Sequence, residues 1–289
     1  MKESTGYKVF RVFNVLALLL IVFVTFYPFL NTISQSFSSQ ANISAGNVNL
    51  IPRGFNIETY KVVMTDSTFW TDYKNTVIYT VVATVISIVL TTAFAYAISK
   101  RHLKGRSFFI AIAVFTMFFN GGIIPNYVLI TSLGMKNTLW AIVLPNAISV
   151  FNLLIMKSFF ENMPAELEEQ ASIDGLSTYG ILFRIVLPLS KPVLATMILF
   201  YAVFNWNSWF GAFLYLDKKE LFPVTIYLRN MIAGASTATS AGGTADNISQ
   251  IASNIKSVTM VLSILPILAI YPFIQKYFVS GIMLGSVKQ

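Results

Sequence analysis

The stretch Glu161–Pro188, ENMPAELEEQASIDGLSTYGILFRIVLP, is a polar interruption in an otherwise apolar chain. Asn162 can accept hydrogen bonds from free amides at a helix start, and Pro164 suits the first turn of a helix. Gly175 stands where a helix commonly ends in a left-handed residue, and Ser177 is placed to cap a second helix. The pattern therefore predicts a helix–glycine–helix corner.

The first helix of this corner has a narrow apolar side and an acidic flank. Leu167 and Ala171 recur at helical spacing, and Glu166, Glu168 and Glu169 surround them. Helices that lie on a membrane surface usually carry Lys and Arg opposite bulky apolar residues. An amphipathic surface loop is the alternative interpretation, but the acidic composition favours a helix to which another protein binds.

The rest of the chain has the composition of a membrane protein. Of its 289 residues, 55% are hydrophobic and 11% are charged, whereas soluble proteins average about 25% charged residues. A helix needs about 20 apolar residues to cross the hydrocarbon core. Six segments meet this need and predict one all-α transmembrane domain over residues 1–289, with a polar loop at 161–184: 9–33, 75–99, 107–129, 139–160, 185–216 and 258–280.

Clusters of basic residues predict how these spans are oriented. Lys and Arg concentrate in residues 2–11, before the first span, and in residues 100–106, between the second and third spans. Such clusters beside span ends stay on the cytoplasmic side. The amino terminus and the loop 161–184 are therefore predicted to be cytoplasmic, and the net charge of +8 reflects topology and does not indicate nucleic-acid binding.

Polar and aromatic residues in the fifth span predict a path for a sugar. Tyr201, Asn205 and Trp209 share one helical face by their spacing, and Trp206 and Asn207 lie beside them. Aromatic rings can pack against the C–H surface of a sugar, and amides can bond its hydroxyl groups. An aromatic belt at the membrane interface and hydrogen bonds between helices are the alternatives.

The third span is interrupted at Asn120-Gly121-Gly122. Irregular backbone at membrane depth is tolerated where it is buried in protein or lines a cavity. Asn120 is therefore a further candidate for the substrate pathway, and a plain helix end is the alternative interpretation of the glycines.

The chain has no machinery of its own to drive transport or to catalyse a reaction. It contains no G-x-x-x-x-G-K-[ST] loop for ATP. No span has a carboxylate in its apolar core, the usual mark of an ion-coupled carrier. Cysteine is absent, and no catalytic or metal-binding group of residues is evident. The energy for transport is therefore expected to come from a partner.

The loop also resembles a loop of a known protein family. Its pattern resembles the EAA loop of ABC-importer permeases, with nine residues between Gly175 and Ile185, although Gln170 replaces the usual second alanine. The matching positions are Glu169, Gln170, Ala171, Asp174, Gly175, Ile185, Leu187 and Pro188. The resemblance extends over the whole chain, and residues 120–125, 152–160 and 206–210 are similar to the subgroup that imports oligosaccharides and glycan breakdown products.

The resemblance implies a six-helix type I ABC-importer permease bundle whose cytoplasmic coupling helices dock on an ATPase. It further implies ATP-driven import of oligosaccharide through the cytoplasmic (inner) membrane of a prokaryote by a chain that is not an enzyme. The implied partners are a second homologous permease subunit, two cytoplasmic ABC ATPase subunits, an external solute-binding protein and membrane lipid. ATP and Mg²⁺ would be bound by the ATPase, and no cofactor by this chain. The alternatives are a stand-alone secondary carrier or channel and, more remotely, a membrane-embedded enzyme.

Overall fold

The computed structural model of the chain describes residues 4–240, 254–270 and 272. The described residues divide into two compact units. The first contains residues 4–70, 227–240 and 254–265, and the second contains residues 71–226, 266–270 and 272.

The described chain is built from helices. Two departures from α-helix are a π-helical turn at Leu182–Val186 and a 3₁₀ turn at Lys219–Leu221. The α-helices are α1 (Thr5–Ser36), α2 (Gln40–Ser44), α3 (Glu58–Thr65), α4 (Ser67–Ser99), α5 (Arg106–Phe118), α6 (Ile123–Ser132), α7 (Trp140–Val143), α8 (Val150–Glu161), α9 (Ala165–Ile173), α10 (Thr178–Ile181), α11 (Leu187–Leu189), α12 (Lys191–Asn207), α13 (Phe210–Tyr215), α14 (Val224–Ser240) and α15 (Asn254–Ile270).

In the first unit, the polar segment after α1 folds back onto the end of that helix. The Ser34 hydroxyl donates a hydrogen bond to the carbonyl of Leu50 at 2.6 Å. Asn254 at the start of α15 donates to the buried carbonyl of Ser38 at 2.9 Å. Buried polar groups need such partners, so the serines and asparagines of this segment hold it against α1 and α15.

In the second unit, α4 contributes a buried stripe of small side chains. Ala83, Ser87, Thr91 and Ala95 are buried along it. Small side chains let helices approach closely, which matters in a membrane because lipid supplies no hydrophobic drive between helices. The threonine- and alanine-rich second span is therefore a packing element of this unit.

Several predicted spans are bent or broken. The third bends by 115° between α5 and α6, where Gly122 has φ +90°. The fourth is split into α7 and α8 around Pro145, which lacks the N–H that a continuous helix would use. The fifth begins in a pair of helices bent by 83° at Ser190.

Two described helices, α1 and α4, are long and apolar enough to cross a membrane, and up to four spans result if each bent pair counts as one. α15 is a shorter apolar helix, and of the predicted span 258–280 only residues up to 270 and residue 272 are described. The number of six spans stays a prediction.

The largest apolar core of the second unit lies where the polar loop meets four other helices. Its buried residues come from α4, α5, α8, α9, α10, α12 and the turn between α10 and α11. They are Ala95, Tyr96, Ile98, Ala113, Leu153, Met156, Phe160, Ala171, Ile181, Leu182, Val186, Val193 and Met197. The loop is therefore packed onto the ends of the helices that surround it.

Candidate functional site: a helical corner and a polar cavity

The polar loop forms the predicted helix–glycine–helix corner. α9 ends at Ile173, and Gly175 follows in the left-handed conformation with φ +81°. The amide of Leu176 donates to the carbonyl of Ala171 at 3.0 Å, and the amide of Gly175 to that of Ser172 at 3.1 Å. This pair of bonds is the Schellman arrangement, which satisfies the last carbonyls of a helix and needs a residue with positive φ. Gly175 meets that need without strain.

The second helix of the corner starts at the predicted residue. The Ser177 hydroxyl accepts a hydrogen bond from the amide of Gly180 at 3.2 Å, which satisfies one free amide of α10. The prediction that Ser177 caps this helix is confirmed.

The predicted cap of the first helix is wrong. The Asn162 amide still bonds to the carbonyl of Ser158, so Asn162 ends α8. Its side-chain Nδ2 also donates to the Ser158 carbonyl at 2.8 Å. The residue before α9 is Pro164, which has no side-chain hydrogen bond to the helix. Asn162 therefore completes the preceding helix and leaves the start of α9 uncapped.

The residues of the EAA-like pattern divide between two sides of the corner. Ala171 is buried, with 4% of its surface exposed, and Ile185 and Leu187 pack against the same core. Glu169, Gln170, Asp174, Gly175 and Pro188 are exposed. The pattern thus combines residues that attach the corner to the helices with residues that a partner can reach.

Two exposed apolar residues adjoin the acidic side of the corner. Ile173 is 85% exposed and Tyr179 is 76% exposed, on either side of the Gly175 turn. Large apolar side chains with such exposure beside charged residues are typical of a protein interface. Sequence reasoning missed both, although they flank the predicted glycine turn and so occupy its tip.

The two glutamates at positions 168 and 169 have different environments. Glu169 is exposed, whereas Glu168 faces the chain itself and forms an ion pair with Lys100 at the end of α4. The sequence alone predicts one acidic flank that contains both residues. Their separation into an outward and an inward residue depends on the partner supplied by α4.

Glu161 at the end of α8 pairs with Arg106 and Lys157. Its burial raises the pKa of the carboxyl, but the hydrogen bonds and charges of Lys157 and Arg106 outweigh burial, so the pKa is lowered. Glu161 is therefore a carboxylate near neutral pH, and it ties the start of α5 to the end of α8.

A cavity of about 1020 Å³ lies elsewhere in the second unit. This volume is at the upper end of the roughly 300–1,000 Å³ of typical ligand pockets. Its wall comes from α5, α6, α7, α12, α13 and their connections, and it includes four asparagines and several aromatic rings. The asparagines are Asn120, Asn126, Asn146 and Asn207, and the rings are Phe119, Phe204, Trp209, Phe210 and Tyr215.

The cavity wall contains three of the six residues predicted for the pathway. Asn120, Asn207 and Trp209 line it. Their assignment to a sugar pathway stays a prediction, but the structure brings them together from two separate parts of the chain. Asn126 was not predicted as a site residue. Asn146 follows Pro145 in the fourth span, and this break is the same kind of sequence feature as the one at Asn120 in the third span.

The other three predicted residues do not line this cavity. Tyr201 is 2% exposed, its hydroxyl lies 2.6 Å from the Thr91 hydroxyl, and it accepts a hydrogen bond from the amide of Ser149 at 3.0 Å. Trp206 is buried and makes an edge contact with Tyr73, with ring centroids 5.7 Å apart. Asn205 lies on α12 outside the wall.

The shared face predicted for Tyr201, Asn205 and Trp209 does not form. α12 ends at Asn207, and Ser208 has an extended backbone with ψ 124°. Trp209 therefore leaves the helical spacing and reaches the cavity from the turn before α13. A break in the helix turns Trp209 away from Tyr201.

The asparagines of the cavity differ in how many hydrogen bonds their side-chain amides already make within the chain. Asn120 Oδ1 accepts hydrogen bonds from the amide of Gly122 at 2.9 Å and from Asn126 Nδ2 at 3.3 Å, which holds the glycine turn. Asn207 Nδ2 donates to the carbonyl of Val203 at 2.8 Å. The side chain of Asn146 has no hydrogen bond to any described residue. The wall thus presents amide groups that can bond a polyhydroxyl solute.

Comparisons with known proteins agree with these features. Residues 106–284 match the family described as "Binding-protein-dependent transport system inner membrane component". The chain is 42% identical over 261 residues to Protein LplC of Bacillus subtilis (strain 168), covering 90% of this chain and 88% of that protein. It is 39% identical over 268 residues to the polygalacturonan/rhamnogalacturonan transport system permease protein YtcP of the same strain, covering 90% and 92%.

A solved structure has the same fold. It is a bacterial ABC transporter involved in the import of the acidic polysaccharide alginate, and one of its chains matches with a TM-score of 0.85 and 33% identity. The match covers 96% of this chain and 99% of that one. The predicted all-helical ABC-importer permease fold is confirmed. The chain accordingly belongs to the family of binding-protein-dependent transport system inner membrane components.

Proposed function

We propose that the chain is a permease subunit of an ATP-driven importer that carries oligosaccharides or glycan breakdown products into the cytoplasm. Relatives include permeases named for polygalacturonan/rhamnogalacturonan and for arabinooligosaccharides. The chain is a non-catalytic, multi-pass component of the bacterial inner membrane. The observation that carries the proposed substrate class is the cavity, whose wall contains both asparagine amides and aromatic rings.

The corner supports the proposed coupling to an ATPase. Its outer side combines the carboxylates of Glu169 and Asp174 with the exposed apolar residues Ile173 and Tyr179. A partner that binds this surface would remove the apolar side chains from water and would meet the carboxylates with its own polar or basic groups. Closure of the ATPases on ATP would then pull α9 and rock the attached helices.

The proposed complex contains this chain, a second homologous permease subunit, two cytoplasmic ABC ATPase subunits and an external solute-binding protein. ATP and Mg²⁺ would be bound by the ATPase subunits, and this chain would hold no cofactor. The solved alginate transporter supports the general arrangement, since a related complex has been described with a sugar-bound periplasmic protein.

The function is tested by uptake into proteoliposomes that contain the purified complex. Oligosaccharides from partial digestion of polygalacturonan and neutral arabinooligosaccharides serve as probes. We expect uptake of at least one probe to require the solute-binding protein on the external side of the complex and ATP on the side of the ATPase subunits. Uptake that continues without ATP under an ion gradient would support a stand-alone secondary carrier or channel instead.

Trp209→Ala is expected to weaken sugar uptake. Trp209 lines the cavity and lies in an aromatic group with Phe210 and Phe213, at centroid distances of 5.6 and 6.0 Å. Loss of one stacking contact costs about 0.5–1.5 kcal/mol, or roughly two- to tenfold in apparent affinity or rate. The measurement is initial uptake against sugar concentration in proteoliposomes.

Trp140→Ala is the matched control for this prediction. Trp140 is also an exposed tryptophan, at the start of α7, and it does not line the cavity. Trp140→Ala should leave uptake near normal once the protein amount is equalised. Equal losses in both variants, with poor membrane insertion, would instead favour an aromatic belt at the interface as the role of Trp209.

Labelling of introduced cysteines tests the proposed cytoplasmic amino terminus. The chain contains no cysteine, so single replacements are labelled without background. Lys218→Cys lies in an exposed loop predicted to be external, and Lys104→Cys lies in an exposed loop predicted to be cytoplasmic. An impermeant thiol reagent should label Lys218→Cys in intact cells and Lys104→Cys only after lysis. The reverse pattern would overturn the orientation and the ATPase docking side with it.

A further inference from the structure

We propose that Lys100 and Glu168 are positioning residues that fix the coupling helix α9 to the end of α4, so that the two helices move together when an ATPase pulls on α9. The inference rests on the proposed function, because it assumes a partner that moves α9. It assigns to Glu168 a role within the permease and leaves its neighbour Glu169 for the partner.

The contact has the features of a strong ion pair. Lys100 Nζ reaches both carboxylate oxygens of Glu168, and the two side chains are only 21% and 22% exposed. The Tyr96 hydroxyl donates to Glu168 Oε2 at 3.4 Å. Lys100 Nζ also lies 4.1 Å from the centroid of the Tyr96 ring, within the range of a cation–π contact. Exposed surface ion pairs contribute little, but this pair is largely shielded and has a third participant.

Apolar packing alone gives α9 little attachment. The helix has nine residues, and Ala171 is the one that is buried. Met163 and Leu176, before and after α9, pack against the same core. Glu168 lies one turn before Ala171, on the same side of the helix. The ion pair therefore supplies the polar part of an attachment to which α9 itself contributes one buried methyl group, that of Ala171.

The receiving end of α4 is itself firmly held. Tyr96 packs edge-on against Phe160 of α8 with ring centroids 6.0 Å apart. Arg106 Nε donates to the carbonyl of Ile98 at 2.8 Å, and its guanidinium pairs with Glu161. Glu161 pairs with Arg106 and Lys157, and Lys100 pairs with Glu168. A displacement of α9 would thus be passed to α4 and, through Tyr96, to α8.

The test measures whether α9 and α4 keep a fixed distance in the complete complex. Spin labels are attached at His102→Cys, just after α4, and Glu166→Cys, in the first turn of α9, both at exposed positions in a cysteine-free chain. With the native pair, we expect a narrow distance distribution that ATP and Mg²⁺ do not alter. In the Glu168→Gln variant, ATP should shift or broaden this distance distribution, because the Lys100 ammonium has lost its charged partner.

Uptake and ATP hydrolysis provide the second readout. Glu168→Gln should lower uptake of the polygalacturonan oligosaccharides about tenfold, equivalent to ~1.4 kcal/mol, while ATP hydrolysis stays within about twofold because the docking surface is intact. The exchange Lys100→Glu with Glu168→Lys should restore the narrow distance and most of the uptake. Glu168→Asp, which keeps the charge on a shorter side chain, replaces Glu168→Gln in the test if the glutamine variant assembles poorly. It should change the distance distribution to an intermediate extent.

Lys104→Met is the matched control, since Lys104 is an exposed lysine four residues after Lys100 in the same loop and should leave the distance unchanged. A narrow, ATP-independent distance in Glu168→Gln would overturn the inference, as would an exchange that fails to restore it. If the chain does not copurify with an ATPase and ATP has no effect on uptake, the proposed function itself is contradicted. An active native complex with no response to the broken pair defeats this inference alone.

Discussion

Replacement of Gly175 by Asp should abolish transport while the chain still reaches the membrane and assembles with its sister subunit. Gly175 adopts φ +81°, where a β-carbon costs roughly 1 kcal/mol. A β-carbon would meet no atom of this chain within 4 Å, so no steric clash adds to this backbone strain. The larger penalty arises because a second carboxylate beside Asp174 would be buried unpaired in the interface with the ATPase, which costs several kcal/mol. The measurement is stimulated ATP hydrolysis and uptake in proteoliposomes, with capture of the ATPase by the tagged permease.

Two variants separate the strain from the interface effect. Gly134 also has a positive φ, +68°, with nothing within 4 Å of a β-carbon, and it lies in a loop predicted to be external. Gly134→Asp carries similar strain and should leave transport near normal. Gly175→Asn has the size of Asp without its charge and tolerates the left-handed conformation, so it should retain more ATPase binding.

Glu169→Lys alters the same surface without changing the backbone conformation. Glu169 is exposed on α9, and the substitution would reverse the charge that it offers to the partner. We expect loss of ATPase capture and transport, as in Gly175→Asp. Normal stimulated hydrolysis in both variants would remove the assignment of this corner to coupling.

The second large effect is expected from substitution of Tyr201. It concerns the stability of the fold and not a contact with the sugar. Its ring is buried at the meeting of α4, α8 and α12, and its hydroxyl contacts Thr91 and the amide of Ser149. Tyr201→Ala should leave a cavity and lower the free energy of unfolding by about 3–5 kcal/mol, as for other aromatic truncations. Thermal stability and the yield of assembled complex are the measurements.

Tyr201→Phe is the control that separates packing from hydrogen bonding. It keeps the ring and removes the hydroxyl, and hydrogen bonds between membrane helices contribute about 0.6–2 kcal/mol. We expect a modest loss of stability and near-normal uptake per assembled complex. A stable Tyr201→Phe protein with strongly reduced uptake would instead place the hydroxyl in the sugar pathway, as sequence spacing predicted.

The fold was predictable from sequence wherever the governing interaction is local or compositional. The ends of the coupling corner follow from Gly175 and Ser177, whose conformation and hydrogen bond depend on neighbours within a few residues. The apolar character of the spans and the small-residue side of α4 follow from composition and helical period. Where a proline or glycine breaks a span, its presence was visible, but the resulting bend of 115° or 83° was not.

Roles that depend on distant partners could not be read in this way. Glu168 and Glu169 look alike in sequence, and what turns one of them inward is Lys100, 68 positions away. Helical spacing predicts a shared face for Tyr201 and Trp209 only if the helix continues through Ser208, where the backbone is extended. Tyr201 instead meets groups 110 and 52 positions away. Residue types and periodicity thus predicted the helices and the corner, whereas the side on which each polar group lies required the packing of helices far apart in the chain.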